Sequence, residues 1–508
     1  MEREKTPVKK CIFYNIFFLT IIFQLTAIFI PMNRSHAADT IWTGAVSTDW
    51  ATAGNWSLGT VPTSADNVTI PDASTTDNDP SISASAVAAN VTIAASGILN
   101  GNANTISVYG NWTNAGTFNH GNGTVNFYGW TTGPFTFTPG SSSYYNLVLD
   151  KRDSGGNHDD LSISGTVTLE GSLNQTTGDF VSGQINLAGD YTIEANSYGC
   201  PENGTPTVIN FNGVVDQSIV YNGGQGASIQ VDKPSGSLIV SDNIVIRGWS
   251  YITGDVTGLD TYRLIFGDYG LGTFTPGSFI YGTIELNKTR SGNDYDTIAI
   301  SGTAIVSGDF IQTSGEMRNG QINLSGNYTI GANAYGVEGS YNTTAITVVN
   351  FNNTIDQSIL YSSGGIGLHV TVNKAGGSLT VTDDISVSGW TYTQGTVVGI
   401  DSHVLTLSGR LWDTFIPGNL TYGGVVIDKF NHNGNWDELI VGSGTLNISG
   451  NLTVTTGKLI LNTNNPTVNI SGNVSIGAIS AIFTAGINPI TVNGNWTNEG
   501  IFNHGNGT

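Results

Sequence analysis

The acidic side chains are the first place to look for chemistry. Asp159, Asp296 and Asp437 occupy one loop position in three copies of a long repeat, and each follows a ring, that of His158, Tyr295 or Trp436. A carboxylate beside an aromatic face suits a sugar, and carboxylates also attract calcium. Asp159, Asp296, Asp437, Tyr295 and Trp436 are therefore the candidate glycan or calcium contacts. Other acids recur in the same way: Asp216 returns as Asp356, and Asp242 in VSDN returns as Asp383 in VTDD. A glycosidase needs a pair of carboxylates converging on one groove. Such a site is a single constellation, whereas a structural role returns wherever the shape returns. Aspartate at a turn caps the backbone around it, and that role accounts for most of these residues.

Other sources of chemistry are thin. His120 and His504 belong to identical FNHGNGT turns, which again indicates structure. The chain has no HExxH, GxSxG or phosphate-binding glycine loop. GGQGAS at 223–228 lacks the aspartate of the GGxGxD calcium repeat, and EF-hand spacing is absent. Cys11 lies in the N-terminal apolar run and Cys200 stands alone, so neither a disulfide framework nor a thiolate metal site is expected. The paired Gly248-Trp249 and Gly389-Trp390 are expected to pack inside or along one face. No catalytic residue, cofactor or metal ligand is assigned.

The elements that would carry these residues are set by repetition. GQINLAGDYTIEANSYG at 183–199 returns as GQINLSGNYTIGANAYG at 320–336, with 13 of 17 positions identical. TFTPG occurs at 136–140 and 273–277, and TFIPG at 414–418. Two full copies and a diverging third divide the chain at about 135–272, 273–413 and 414–508. Within each copy lies a finer unit, apolar-x-Gly-polar-apolar-Ser/Thr, as in LAGDYT at 187–192 and ISGNLT at 448–453. Gly450, Gly472 and Gly494 are evenly spaced examples of its glycine. Short alternating strands between Gly/Asn/Asp turns, recurring at intervals of about 20 residues, indicate a solenoid or an array of hairpins.

The expected fold is all-β, a right-handed parallel β-helix over 109–508 behind a Trp-rich cap with the first rungs at 38–108. A string of separate β-sandwiches is the alternative. Equivalent Val, Ile and Leu positions would stack from rung to rung, and glycine would serve a corner of positive φ. At a rung spacing of about 4.8 Å, roughly 23 rungs would make a stalk on the order of 110 Å. Trp42, Trp50 and Trp56 would cover the open end of the sheet.

Residues 1–37 read as an export signal. Arg3, Lys5, Lys9 and Lys10 precede an apolar stretch from Cys11 to Ile30, and Ser35-His36-Ala37 offers a cleavage site. Left uncleaved, the stretch is long enough to anchor the chain in a bilayer. The remainder carries 12 basic against 36 acidic residues. That charge argues against nucleic acid and anionic membrane as partners. Membrane attachment would then come from the uncleaved signal or a C-terminal anchor. GNWTNAGTFNHGNGT at 110–124 returns as GNWTNEGIFNHGNGT at 494–508, where the chain stops mid-repeat, and a longer protein is expected.

The opening pattern, with Trp42-x-Gly44, Asp49-Trp50, Asn55-Trp56, Gly59-x-Val61-Pro62 and Asp66-x-Val68-x-Ile70, resembles the front of large bacterial surface proteins. The GNWTNxGxFNxGNGTVxFxG unit is similar to repeats in β-helical autotransporter passengers and haemagglutinin-like adhesins. The resemblance covers most of 40–508 and implies a secreted or cell-surface protein. It carries over no catalytic residue. The functional expectation is a non-catalytic structural or adhesive stalk whose partners are surface polysaccharide or cell glycans. The alternatives are a carbohydrate-active enzyme on the same fold, with its groove around 430–465, or a passive surface-layer component.

Overall fold

Strict alternation makes the strands. Thr124–Trp130 buries Val125, Phe127 and Gly129 and turns Asn126 and Tyr128 outward. That period of two leaves one face apolar, and such a strand needs neighbours on both edges to satisfy its backbone. The repeats supply them. In the computed structural model, residues 38–130, 134–152, 160–198, 206–267, 270–288, 297–336, 346–410, 412–430, 437–478 and 480–507 are described. They lie in one compact unit that forms a parallel β-solenoid of about 19 turns. The export-signal segment 1–37 and Cys200 lie outside the described residues. Among the described residues, no helix is long and apolar enough to cross a membrane.

Every strand pairing among the described residues is parallel, as in Gln184–Leu187 against Val208–Phe211 and Gln321–Leu324 against Val348–Phe351. Separate antiparallel sandwiches are thereby excluded. Antiparallel contact is confined to two isolated bridges, Trp42–Trp56 and Arg318–Ile346. The ladder also starts early, because Asp39–Ile41 already pairs with Asn67–Ile70. The turns are fewer than uniform short coils would give, because the coils differ in length. Leu173 pairs with Tyr191 across a short coil, whereas Asp39 pairs with Asn67 across a much longer one.

The core is a set of vertical stacks. Ile185, Ile209, Ile229, Trp249, Phe274 and Ile300 sit one above another. In the next copy the same stack reads Ile322, Val349, Val370, Trp390, Phe415 and Val441. All of these side chains are buried, each contributing roughly 1.5–3 kcal/mol by its burial. The two GW pairs therefore place their indoles inside. At the N-terminal end, Trp42, Trp50 and Trp56 form a buried edge-to-face cluster, with Trp42 and Trp50 at 5.0 and 4.7 Å from Trp56.

The glycine of the finer unit has a different cause from the expected one. Gly189, Gly326, Gly450, Gly472 and Gly494 do not adopt positive φ. They are glycine because the rungs touch there. A Cβ at Gly472 would lie 2.4 Å from the carbonyl oxygen of Gly450, and one at Gly494 would lie 2.4 Å from that of Gly472. The polar residue after the glycine forms the ladder. Asn451 Oδ1 accepts from Asn473 N, and Asn473 Oδ1 accepts from Asn495 N, each at 2.8 Å.

Candidate functional site

The recurring acids and amides are mostly occupied by the backbone. Asp216 Oδ1 accepts from Ser237 N at 2.8 Å, and Asp356 Oδ1 accepts from Ser378 N at 2.7 Å. The glutamine beside each is buried. Gln217 Nε2 donates to Leu187 O and Gly189 O, and Gln357 Nε2 donates to Leu324 O and Gly326 O. Their Oε1 atoms accept from Lys233 and Lys374 Nζ, each at 2.7 Å. Burial lowers the pKa of both lysines. His120 and His504 each accept a backbone N–H from the asparagine two positions on, so the identical turns are built identically.

Of the predicted contact residues, Asp159, Asp296, Tyr295 and Trp436, together with His158, lie outside the described residues. Asp437 is described and buried. Its Oδ1 lies 3.5 Å from Lys458 Nζ, which also reaches Glu438 Oε1 at 3.0 Å. Burial works against the Lys458 charge, but these two carboxylates hold its pKa above the ordinary value.

One polar constellation lies outside every sequence expectation. His369 Nδ1 lies 2.8 Å from Asp413 Oδ1, and His369 Nε2 lies 2.9 Å from Thr391 Oγ1. His369 and Asp413 are buried, and Thr391 is partly exposed. They come from three successive rungs: Val370 pairs with Trp390, and Trp390 pairs with Phe415. The intervening rung presents Gly389, where a Cβ would stand 2.4 Å from both His369 Nδ1 and Asp413 Cγ. Glycine thus opens the window through which the imidazole and carboxylate meet. Burial alone would raise the Asp413 pKa. His369, Lys429 and the Thr414 N–H outweigh it and hold it below the usual carboxylate range. Lys429 Nζ donates to Ser388 O at 2.7 Å and Ser408 O at 3.1 Å, and burial pushes its pKa down to about 8.

A hydroxyl, imidazole and carboxylate in series is the order in which a nucleophile is activated for acyl transfer. Here the imidazole and the carboxylate are enclosed, and only Thr391 is partly exposed. The signal that would have found it is a difference between copies. When Gly389-Trp390 is aligned with Gly248-Trp249, His369, Thr391 and Asp413 replace Ser228, Ser250 and Gly272.

The class defined by this architecture is a parallel β-solenoid built from internal repeats. Residues 41–124, the Trp cluster and the first rungs, match a family described as a domain of unknown function, DUF8693. No curated protein matches the chain, and no solved structure does.

Proposed function

We propose that the chain is a non-catalytic, extracytoplasmic stalk of a bacterial surface or secreted protein, structural or adhesive in role. The observation that carries this reading is the repetition of polar contacts. Gln217 and Lys233 make the same bonds as Gln357 and Lys374, and Asp216 the same as Asp356. Copied residues that serve the backbone build length and shape. In a solenoid each coil touches only its neighbours, so copies are gained or lost without disturbing the rest. The basic-then-apolar segment at 1–30 supports export, and the acidic surface supports a soluble life outside the cytoplasm. The partners in this reading are surface polysaccharide or cell glycans, held through many weak contacts.

The test uses the full chain and a variant lacking residues 273–413, one copy long. On intact expressing cells, externally added protease should digest both. The deletion should weaken attachment to a polysaccharide-coated surface steeply, because linked weak sites raise apparent binding by roughly 10²–10⁴-fold. Binding of a short oligosaccharide should scarcely change. Protection of both chains from the protease, or turnover of a polysaccharide by the purified protein, would overturn the reading.

A further inference from the structure

We propose that Asp383, Asp384 and His403 bind one divalent transition-metal ion on the outer surface of the solenoid. Each offers one ligand atom, and the three atoms lie within 4.8 Å of one another. The two aspartates are exposed and the histidine is partly so. They belong to adjacent rungs, since Asp384 precedes the strand Ile385–Val387 and His403 precedes Val404–Gly409, and those strands pair in register from Ile385 and Leu405. The approach is therefore set by the solenoid itself.

The preceding copy shows which part of this cluster the fold needs. There the equivalent residues are Asp242, Asn243 and Tyr262. Asn243 N donates to Asp242 Oδ1 at 2.7 Å, and Asn243 Oδ1 accepts from Arg263 N at 2.8 Å. Asp384 N donates to Asp383 Oδ1 at 2.8 Å, and Asp384 Oδ1 accepts from Val404 N at 2.8 Å. The backbone is thus served equally by asparagine and by aspartate. The turn is therefore built without a second carboxylate in the preceding copy, whereas here Asp384 places one beside Asp383. A bound cation would offset the repulsion between two neighbouring carboxylates.

The second difference points the same way. The ring of Tyr262 lies 3.4 Å from a Cβ built at Gly258, and that of His403 lies 3.6 Å from one built at Gly399. The two rings fill the same place, but the imidazole brings a nitrogen, with Nδ1 3.6 Å from Asp384 Oδ1. Both changes between the copies replace a non-ligand by a ligand, at positions that meet in space. One imidazole nitrogen and two carboxylate oxygens suit zinc, cobalt or nickel. Calcium takes oxygen ligands alone. Three protein ligands on a surface leave coordination positions for water or for a donor from another molecule.

The proposal is independent of the stalk reading, and its test measures the metal alone. The full chain is titrated with Zn²⁺ by calorimetry and with Co²⁺ by visible absorption. One saturable site is expected per chain, with a cobalt spectrum showing nitrogen and oxygen ligation. Asp384→Asn and His403→Tyr install the residues that the preceding copy already tolerates, so the fold is kept. Each should weaken binding at least tenfold with an unchanged circular dichroism spectrum. The converse variant, Asn243→Asp with Tyr262→His, should raise the stoichiometry from one to two. Binding that is absent below millimolar metal, or that both single variants leave unchanged, overturns the proposal.

Discussion

His369 and Asp413 meet across Gly389, and neither is placed to be buried alone. Removing one member of a buried pair leaves an uncompensated group and costs about 3–5 kcal/mol. Replacing both recreates the preceding copy, which carries Ser228 and Gly272 at these positions. We therefore expect His369→Ser and Asp413→Gly each to lower the urea midpoint sharply. The double variant should lose less than their sum, by a coupling of roughly 1–3 kcal/mol. Additive losses would show that the pair is not a unit. Lys429 gives a second reading of the same region. Its folded-state pKa of about 8 lies below the ordinary lysine value of 10.5. Below about pH 8 both states bind the proton and the burial penalty is constant. Between the two values the unfolded chain binds more protons, so stability rises with pH. The melting temperature of the parent should rise relative to that of Lys429→Met between pH 8 and 10. Parallel melting curves across that range would contradict the assignment.

At the scale of the element, the rung depends on glycine for contact between backbones. Gly472→Ala drives a methyl group into the Gly450 carbonyl and should cost about 1–3 kcal/mol, as overpacking does. Gly376 makes the control. It has ordinary φ, and a Cβ there would meet nothing nearer than 3.5 Å, on Thr354. Gly376→Ala should be neutral or stabilise by up to about 1 kcal/mol, through the reduced freedom of the unfolded chain. Solenoids unfold in parts, so the measurement is local: amide hydrogen exchange at Ile470–Ile476 for the first variant and at Leu379–Val381 for the second. Equal protection in Gly472→Ala and the parent would refute the close-contact account.

For the whole molecule, one sequence in two settings is informative. In GNWTNAGTFNHGNGT, Trp112 is 0% exposed, because Phe137 pairs over it and Tyr144 closes the stack. In GNWTNEGIFNHGNGT, the equivalent Trp496 is 39% exposed and Phe502 36%. With Ile490, Val492 and His504 they line a cavity of about 260 Å³. The indole is therefore buried by its neighbours in the stack and not by its own segment. Trp112→Ala should cost about 3–5 kcal/mol, as other large-to-small changes in a core do, and should lower amide-exchange protection at Trp112–Asn114. Unchanged protection there would refute the account.

The division between sequence and tertiary structure follows from the range of the forces involved. Alternation, glycine turns and the long repeats act locally or copy one another, so the strands and the parallel solenoid were legible in the chain, whereas the stacking of rungs decided that the GW pairs face inward and not along one outer face. The recurrence of Asp216 and Asp356 likewise announced a structural role, because a turn repeated in sequence is repeated in bonding. The number of turns was not legible, since the short coil from Leu173 to Tyr191 and the long one from Asp39 to Asn67 look alike until they pair. Nor was the reason for the unit's glycine, which lies in the carbonyl of the rung below. His369, Thr391 and Asp413 are far apart in the chain, and only the stacking of three rungs over Gly389 brings them within hydrogen-bonding distance. Contact between rungs depends on register, and register is decided by how the whole set of strands fits together.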